Sequence, residues 1–213
     1  MSTTNPARAA RGRRVTRPSG DDRQAAILGT AVRLLEQKKF TDISVDDLAK
    51  GAGLSRPTFY FYFASKEAVL LSLLDPLIQQ ADSGFDGAME KLPTDPRRAF
   101  RAGITTFVDA FAAYPAMARA GADAFASSPE ARAAWNSIMQ KWIHRTAALI
   151  EAERDRGAAP DTIPALELAT ALNLMNERMI MATLSEEDGA VARDRIVDTL
   201  THIWLTSIYA EAG

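Results

Sequence analysis

Residues 41–66 read TDISVDDLAKGAGLSRPTFYFYFASK, and this stretch decides the fold. Ser44 precedes an apolar-periodic run and can cap a helix, while Asp46 and Asp47 put negative charge in the first turn, where the helix dipole favours it. Val45, Leu48 and Ala49 recur at i, i+3 and i+4 and give that helix one apolar face. Gly51 and Gly53 bracket its end, and one of them is expected in a left-handed conformation. Leu54 then plugs the turn and Ser55 can cap a second helix. Pro57 falls in that helix's first turn, where its missing amide hydrogen is not needed. Helix, tight turn and short second helix form the layout of a helix-turn-helix, whose second helix enters a DNA major groove.

On a helical wheel Phe59, Tyr62 and Phe63 fall together and should face the core. Pro57 and Phe61 lie opposite, with Arg56 and Tyr60 on a flank. A proline and a phenylalanine in water are costly beside an arginine and a tyrosine, but they suit a DNA surface. Arg56 can reach a guanine edge or a phosphate, Phe61 or Pro57 can meet thymine methyls, and the Tyr60 hydroxyl can donate to a phosphate. Lys66 opens the next helix, where the positive end of the dipole also suits phosphate. With Ser44 and Thr58 these residues make up the candidate DNA-contacting set on the folded part of the chain. The competing reading is an aromatic core cluster, yet half of these aromatics point the wrong way for one.

Charge divides the chain. Residues 1–66 hold twelve Lys/Arg against six Asp/Glu, net +6, while residues 67–213 hold thirteen against twenty-one, net −8. One end suits nucleic acid and the other avoids it. Within residues 1–20, Arg8, Arg11, Arg13, Arg14 and Arg17 stand without an acid or an apolar period. This reads as a disordered basic arm, with Arg13, Arg14 and Arg17 able to lie along DNA or enter a minor groove; the alternative is an idle solvated tail. No apolar stretch follows those arginines, so a signal peptide is not expected.

The same composition narrows the chemistry. There is no cysteine, which removes disulfides, thiolate catalysis and cysteine-ligated metal. His144 and His202 sit in no catalytic or metal-binding spacing, and His202 is expected to pack between the last helices. No enzyme activity, catalytic residue, metal or cofactor is therefore expected. No apolar run reaches membrane-spanning length, and the expectation is a cytoplasmic protein without membrane contact.

Strand signals are absent and apolar residues recur at helical spacing, so the chain reads as all-α. The expected division is the basic arm (1–20), a helix-turn-helix DNA-binding domain (21–66), and a ligand-binding and dimerisation domain (67–213). Helices are predicted at about 21–38, 45–63 (the helix-turn-helix pair), 65–84, 96–114, 115–126, 129–156, 164–185 and 190–210. Pro93, Pro96, Pro115, Pro129, Gly157, Pro160 and Pro164 punctuate them. Pro76, inside the 65–84 helix, is expected to bend it.

In the larger domain Phe100, Ile104, Phe107 and Phe111 share one stripe, and Trp135, Ile138, Met139, Trp142 and Thr146 share another. The 164–185 helix adds Asn173, Asn176 and Glu177 among apolar residues, and such groups are expensive to bury without partners. Two readings stand: an apolar ligand cavity with converging polar groups, or a packed core with polar residues at a subunit interface. The apolar arc around Ile203, Trp204, Leu205, Ile208 and Tyr209 is wider than one core needs, which suits a helix shared with a partner.

These residues resemble the TetR family of bacterial transcriptional repressors. Thr41 to Lys66 carries the broad family pattern. RPSGDDR (17–23), SKEAVLL (65–71), MQKWI (139–143), EAERDRGAAP (151–160), ELATALNLMNER (167–178) and HIW (202–204) are similar to the subgroup of mycobacterial ethionamide-resistance regulators. The resemblance covers nearly everything after residue 10. It implies a repressor that binds double-stranded operator DNA as a homodimer through its last two helices, with one or several dimers per operator. It also implies a small, mostly apolar effector and a monooxygenase gene as target. By matching position, Phe107, Phe111, Trp135, Met139, Trp142, Thr146, Asn173, Asn176, Glu177 and Trp204 would line the effector site, joined by Phe85 and Ile104. Ala99, Phe100, Arg145 and Met181 depart from the subgroup, and Arg145 is expected to put a charge near the cavity mouth. The alternatives are an architectural DNA-binding protein or an activator without ligand-controlled release.

Overall fold

A computed structural model describes residues 19–210, and among them all regular structure is helical. The helices are α1 (Gly20–Leu35), α2 (Val45–Gly51), α3 (Arg56–Tyr62), α4 (Lys66–Met89), α5 (Pro96–Ala112), α6 (Pro115–Ser127), α7 (Pro129–Asp155), α8 (Ala165–Leu184) and α9 (Ile196–Tyr209). Their starts are written locally. Ser19 with Asp22 and Ser44 with Asp47 form reciprocal capping boxes, and Ser55, Ser65, Asp95 and Ser128 each accept a first-turn amide. Gly53 holds φ +69, the left-handed turn that lets α3 leave α2 sharply.

The boundaries differ from the sequence reading at several places. α1 ends at Leu35 rather than 38, and a 3-10 turn at Phe40–Asp42 follows. α4 extends to Met89 and continues through Pro76 as one helix. α9 begins at Ile196 rather than 190, because residues 185–195 turn back through Gly189 at φ +80. His202 is exposed on α9 rather than packed between helices.

Two apolar clusters organise the body. One includes Ile27, Leu48 and Phe59 of the first three helices, runs through Leu70, Leu74 and Ile78 of α4, and reaches Phe111, Trp135 and Trp142. The other joins Phe100 and Ile104 of α5 to Ile150 of α7, Leu172 of α8 and Leu200 and Trp204 of α9. α4 thus belongs to the core of the helix-turn-helix unit and to that of the larger domain. It lies very close to α5 at Gly84, where an added Cβ would sit 2.2 Å from the Thr106 Cγ2 and 3.1 Å from its Cβ. The Thr106 hydroxyl donates to the Ala102 carbonyl, which fixes its rotamer. Gly84→Val should therefore force α4 and α5 apart and cost about 1–3 kcal/mol in urea denaturation.

Candidate DNA interface and ligand cavity

α3 is anchored by Phe59, which is fully buried, and by Phe63 just beyond it. The opposite side is open: Phe61 is 84% exposed and Tyr60 45%, and Pro57 is exposed beside them. Arg56 lies along the flank. Its guanidinium donates to the Tyr60 hydroxyl at 3.3 Å and pairs with Asp46 of α2 at 3.4 Å. Both contacts are solvent-exposed and therefore weak, so the side chain is held in position yet free to exchange partners.

Other members of the expected set are placed differently. Ser44 and Thr58 are engaged at helix starts: the Ser44 hydroxyl bonds Asp47, and the Thr58 hydroxyl shares a 2.8 Å hydrogen bond with Ser55. Lys66 stands at the start of α4, as the sequence places it. Its ammonium turns inward to donate to the carbonyls of Phe40 (3.1 Å) and Ile43 (2.9 Å) and stands 4.6 Å from the Phe40 ring centre. It ties the 3-10 turn to α4: the Ile43 carbonyl gains a donor, and the Phe40 carbonyl, which also accepts the Ile43 N–H, gains a second. Arg13, Arg14 and Arg17 lie outside the described residues.

In the larger domain Phe85, Ile104, Phe107, Phe111, Trp135, Met139, Trp142, Thr146, Asn173, Asn176, Glu177 and Trp204 surround one narrow cavity of about 60 Å³. Arg145, Ile180 and Met181 complete its wall. The aromatic side chains hold one another at edges: Trp142 meets Phe107 at 4.9 Å and Trp135 at 5.6 Å, both nearly perpendicular. The polar groups of α8 each face a neighbouring helix. Asn173 donates to the Thr146 hydroxyl at 3.0 Å, Asn176 accepts the Trp204 indole N–H at 2.9 Å, and Glu177 accepts the Trp135 indole N–H.

Sequence reasoning passed over Asp82 on α4. Its carboxylate accepts the Trp142 indole N–H at 2.7 Å and pairs with Lys141 at 2.7 Å and Arg145 at 2.9 Å. Arg145 also pairs with Asp86 and lies over the Phe85 ring, 5.5 Å from its centre. The expected charge at the cavity is therefore already matched by two carboxylates. Burial alone would raise the Asp82 carboxyl, but the Lys141 and Trp142 hydrogen bonds and the two cations outweigh it and hold it below the ordinary aspartate value. The available signal was spacing: Ile78, Asp82, Phe85 and Asp86 share one face of α4, so a carboxylate stands within an apolar stripe.

Comparison with known proteins agrees with this geometry. Residues 27–73 match the family of bacterial regulatory proteins of the tetR type, and residues 100–210 match the C-terminal domain of the transcriptional regulator EthR. The chain is 68% identical to the HTH-type transcriptional regulator EthR of Mycolicibacterium smegmatis, covering 98% of this chain and 96% of that protein. It is 57% identical to EthR of Mycobacterium tuberculosis, covering 99% and 98%. Among solved structures, a TetR-family regulator from Syntrophomonas wolfei superposes with TM-score 0.73 at 16% identity, covering 91% and 99%. Thermus thermophilus FadR, a TetR-family repressor in complex with lauroyl-CoA, superposes with TM-score 0.64 at 18% identity, covering 89% and 97%. A helix-turn-helix of the tetR type, joined to a C-terminal domain of the EthR type, makes this chain a member of the TetR family of transcriptional regulators, not an enzyme.

Proposed function

We propose that the chain is a repressor released from operator DNA when a mostly apolar small molecule occupies the α4–α9 cavity. The observation that carries this reading is the bond from the cavity wall to α4: Trp142 lines the cavity and donates to Asp82, on the helix that also packs against the DNA-reading unit. The cavity of about 60 Å³ is smaller than pockets that enclose drug-sized ligands, roughly 300–1,000 Å³. An elongated ligand must widen it, and widening displaces α7 or α4. The effect on DNA binding is bounded by the ligand's difference in affinity between the two arrangements.

The DNA-reading part rests on α3. Two copies related by a twofold axis would place two α3 helices about one DNA turn (~34 Å), or a multiple of it, apart. Leu166 and Leu174 stand exposed on α8, and Ile203 and Leu205 are half-buried on α9, which supports pairing of these two helices between copies. A monooxygenase gene is the target that the resemblance to the ethionamide-resistance regulators implies. The contact face has few hydrogen-bonding groups, so phosphates and DNA shape supply much of the affinity.

A gel shift with a duplex from the gene's own upstream region tests this reading at physiological salt. Arg56→Ala is expected to weaken specific binding by about 1–3 kcal/mol, roughly five- to 150-fold, without changing the melting temperature. Equal binding of the upstream duplex and a scrambled one by the wild type would refute the reading.

A further inference from the structure

We propose that the cavity selects ligands ending in a protonated amine, held by Glu177; this rests on the reading of the cavity as the effector site. Its wall carries two charged side chains among the described residues, Arg145 and Glu177. Arg145 is already shared between Asp82 and Asp86. An anionic ligand end would find that cation already matched by two carboxylates, and would meet the Glu177 carboxylate on the wall.

Glu177 is in the opposite position. One of its oxygens accepts the Trp135 indole N–H, and among the described residues no Lys, Arg or His pairs with it. A carboxylate offers about four acceptor positions, so a single indole leaves most of them open. The group is half-buried and lines an otherwise apolar wall, where an ion without a partner is costly. An ammonium end supplies both the missing charge and the missing donors, while its alkyl chain follows the aromatic lining. Trp135 and Trp142, perpendicular and 5.6 Å apart, add ring surface that attracts a cation.

Decylamine, 1-decanol and decanoate share a chain and differ at the end group. Their binding is to be measured by calorimetry and thermal denaturation, below micelle-forming concentrations, on wild type and Glu177→Gln. The amide oxygen that this substitution introduces still accepts the Trp135 indole N–H, so the charge is removed and the fold is kept.

The expected result is that wild type binds decylamine at least about tenfold more tightly than 1-decanol, with decanoate weakest. In Glu177→Gln the amine and the alcohol should bind within about twofold of each other. An alcohol bound as tightly as the amine by wild type, or an amine preference that survives Glu177→Gln, overturns the inference and leaves the effector site standing. Failure of all three compounds to bind wild type overturns the effector site itself.

Discussion

Phe59→Ala is expected to cost about 3–5 kcal/mol and to unfold the helix-turn-helix unit. Phe59 is wholly buried, touches Tyr60 and Phe63 edge-on or tilted, and belongs to the cluster that joins Ile27, Leu48 and Leu70. Truncation leaves a cavity that two short helices cannot close, since α2 and α3 have little other apolar surface to bury. Urea denaturation followed by circular dichroism should show the loss, and DNA binding should vanish with it. Phe61→Ala, two residues along the same helix, makes the contrast. Phe61 is solvent-exposed, so its removal should change stability by under about 0.5 kcal/mol while weakening DNA binding. Similar costs for the two substitutions would contradict the assignment of opposite faces.

Asp82→Ala is the second large effect, with an expected cost of about 2–3 kcal/mol and loss of effector response. The substitution removes the acceptor of the Trp142 indole and one carboxylate of the Lys141 and Arg145 pairs. Arg145 keeps Asp86 and Lys141 reaches solvent, which limits the cost. Because the folded Asp82 carboxyl is held below its unfolded value, its contribution is present at neutral pH. It is lost only as pH falls below about 4 and through the lowered folded value. The stability gap between wild type and Asp82→Ala should therefore be constant between about pH 5 and about pH 7, and shrink under stronger acid. A gap that stays constant into strong acid would show that the carboxylate's charge does not stabilise this contact.

The division of α3 into a buried and an exposed face was legible because a short helix has few neighbours. Its wheel alone separates Phe59 and Phe63 from Pro57 and Phe61, and the structure places them on those two sides. The cavity wall was legible for a different reason: three tryptophans and three polar groups at helical spacing leave few ways to pair indole N–H groups except with Asn176, Glu177 and a further acceptor. That further acceptor, Asp82, lies sixty residues from Trp142 in sequence, and periodicity within one helix does not reveal partners on another. Lys66 illustrates the same limit. Its place at a helix start suggests phosphate, while its bonds to the Phe40 and Ile43 carbonyls depend on the 3-10 turn at Phe40–Asp42, which spacing within one helix does not show. The late start of α9 reflects the turn at Gly189, which hydrophobic spacing does not register.

Coupling between the cavity and the DNA-reading unit is tested most directly by the anisotropy of a labelled duplex from the upstream region, held near half saturation with wild-type protein, as 1-decanol is added. Thermal denaturation of the same samples reports whether the alcohol is bound. The duplex should leave wild type as the alcohol binds, and stay on Asp82→Ala. Alcohol bound to wild type with the duplex still fully held would contradict the coupling through Trp142 and Asp82.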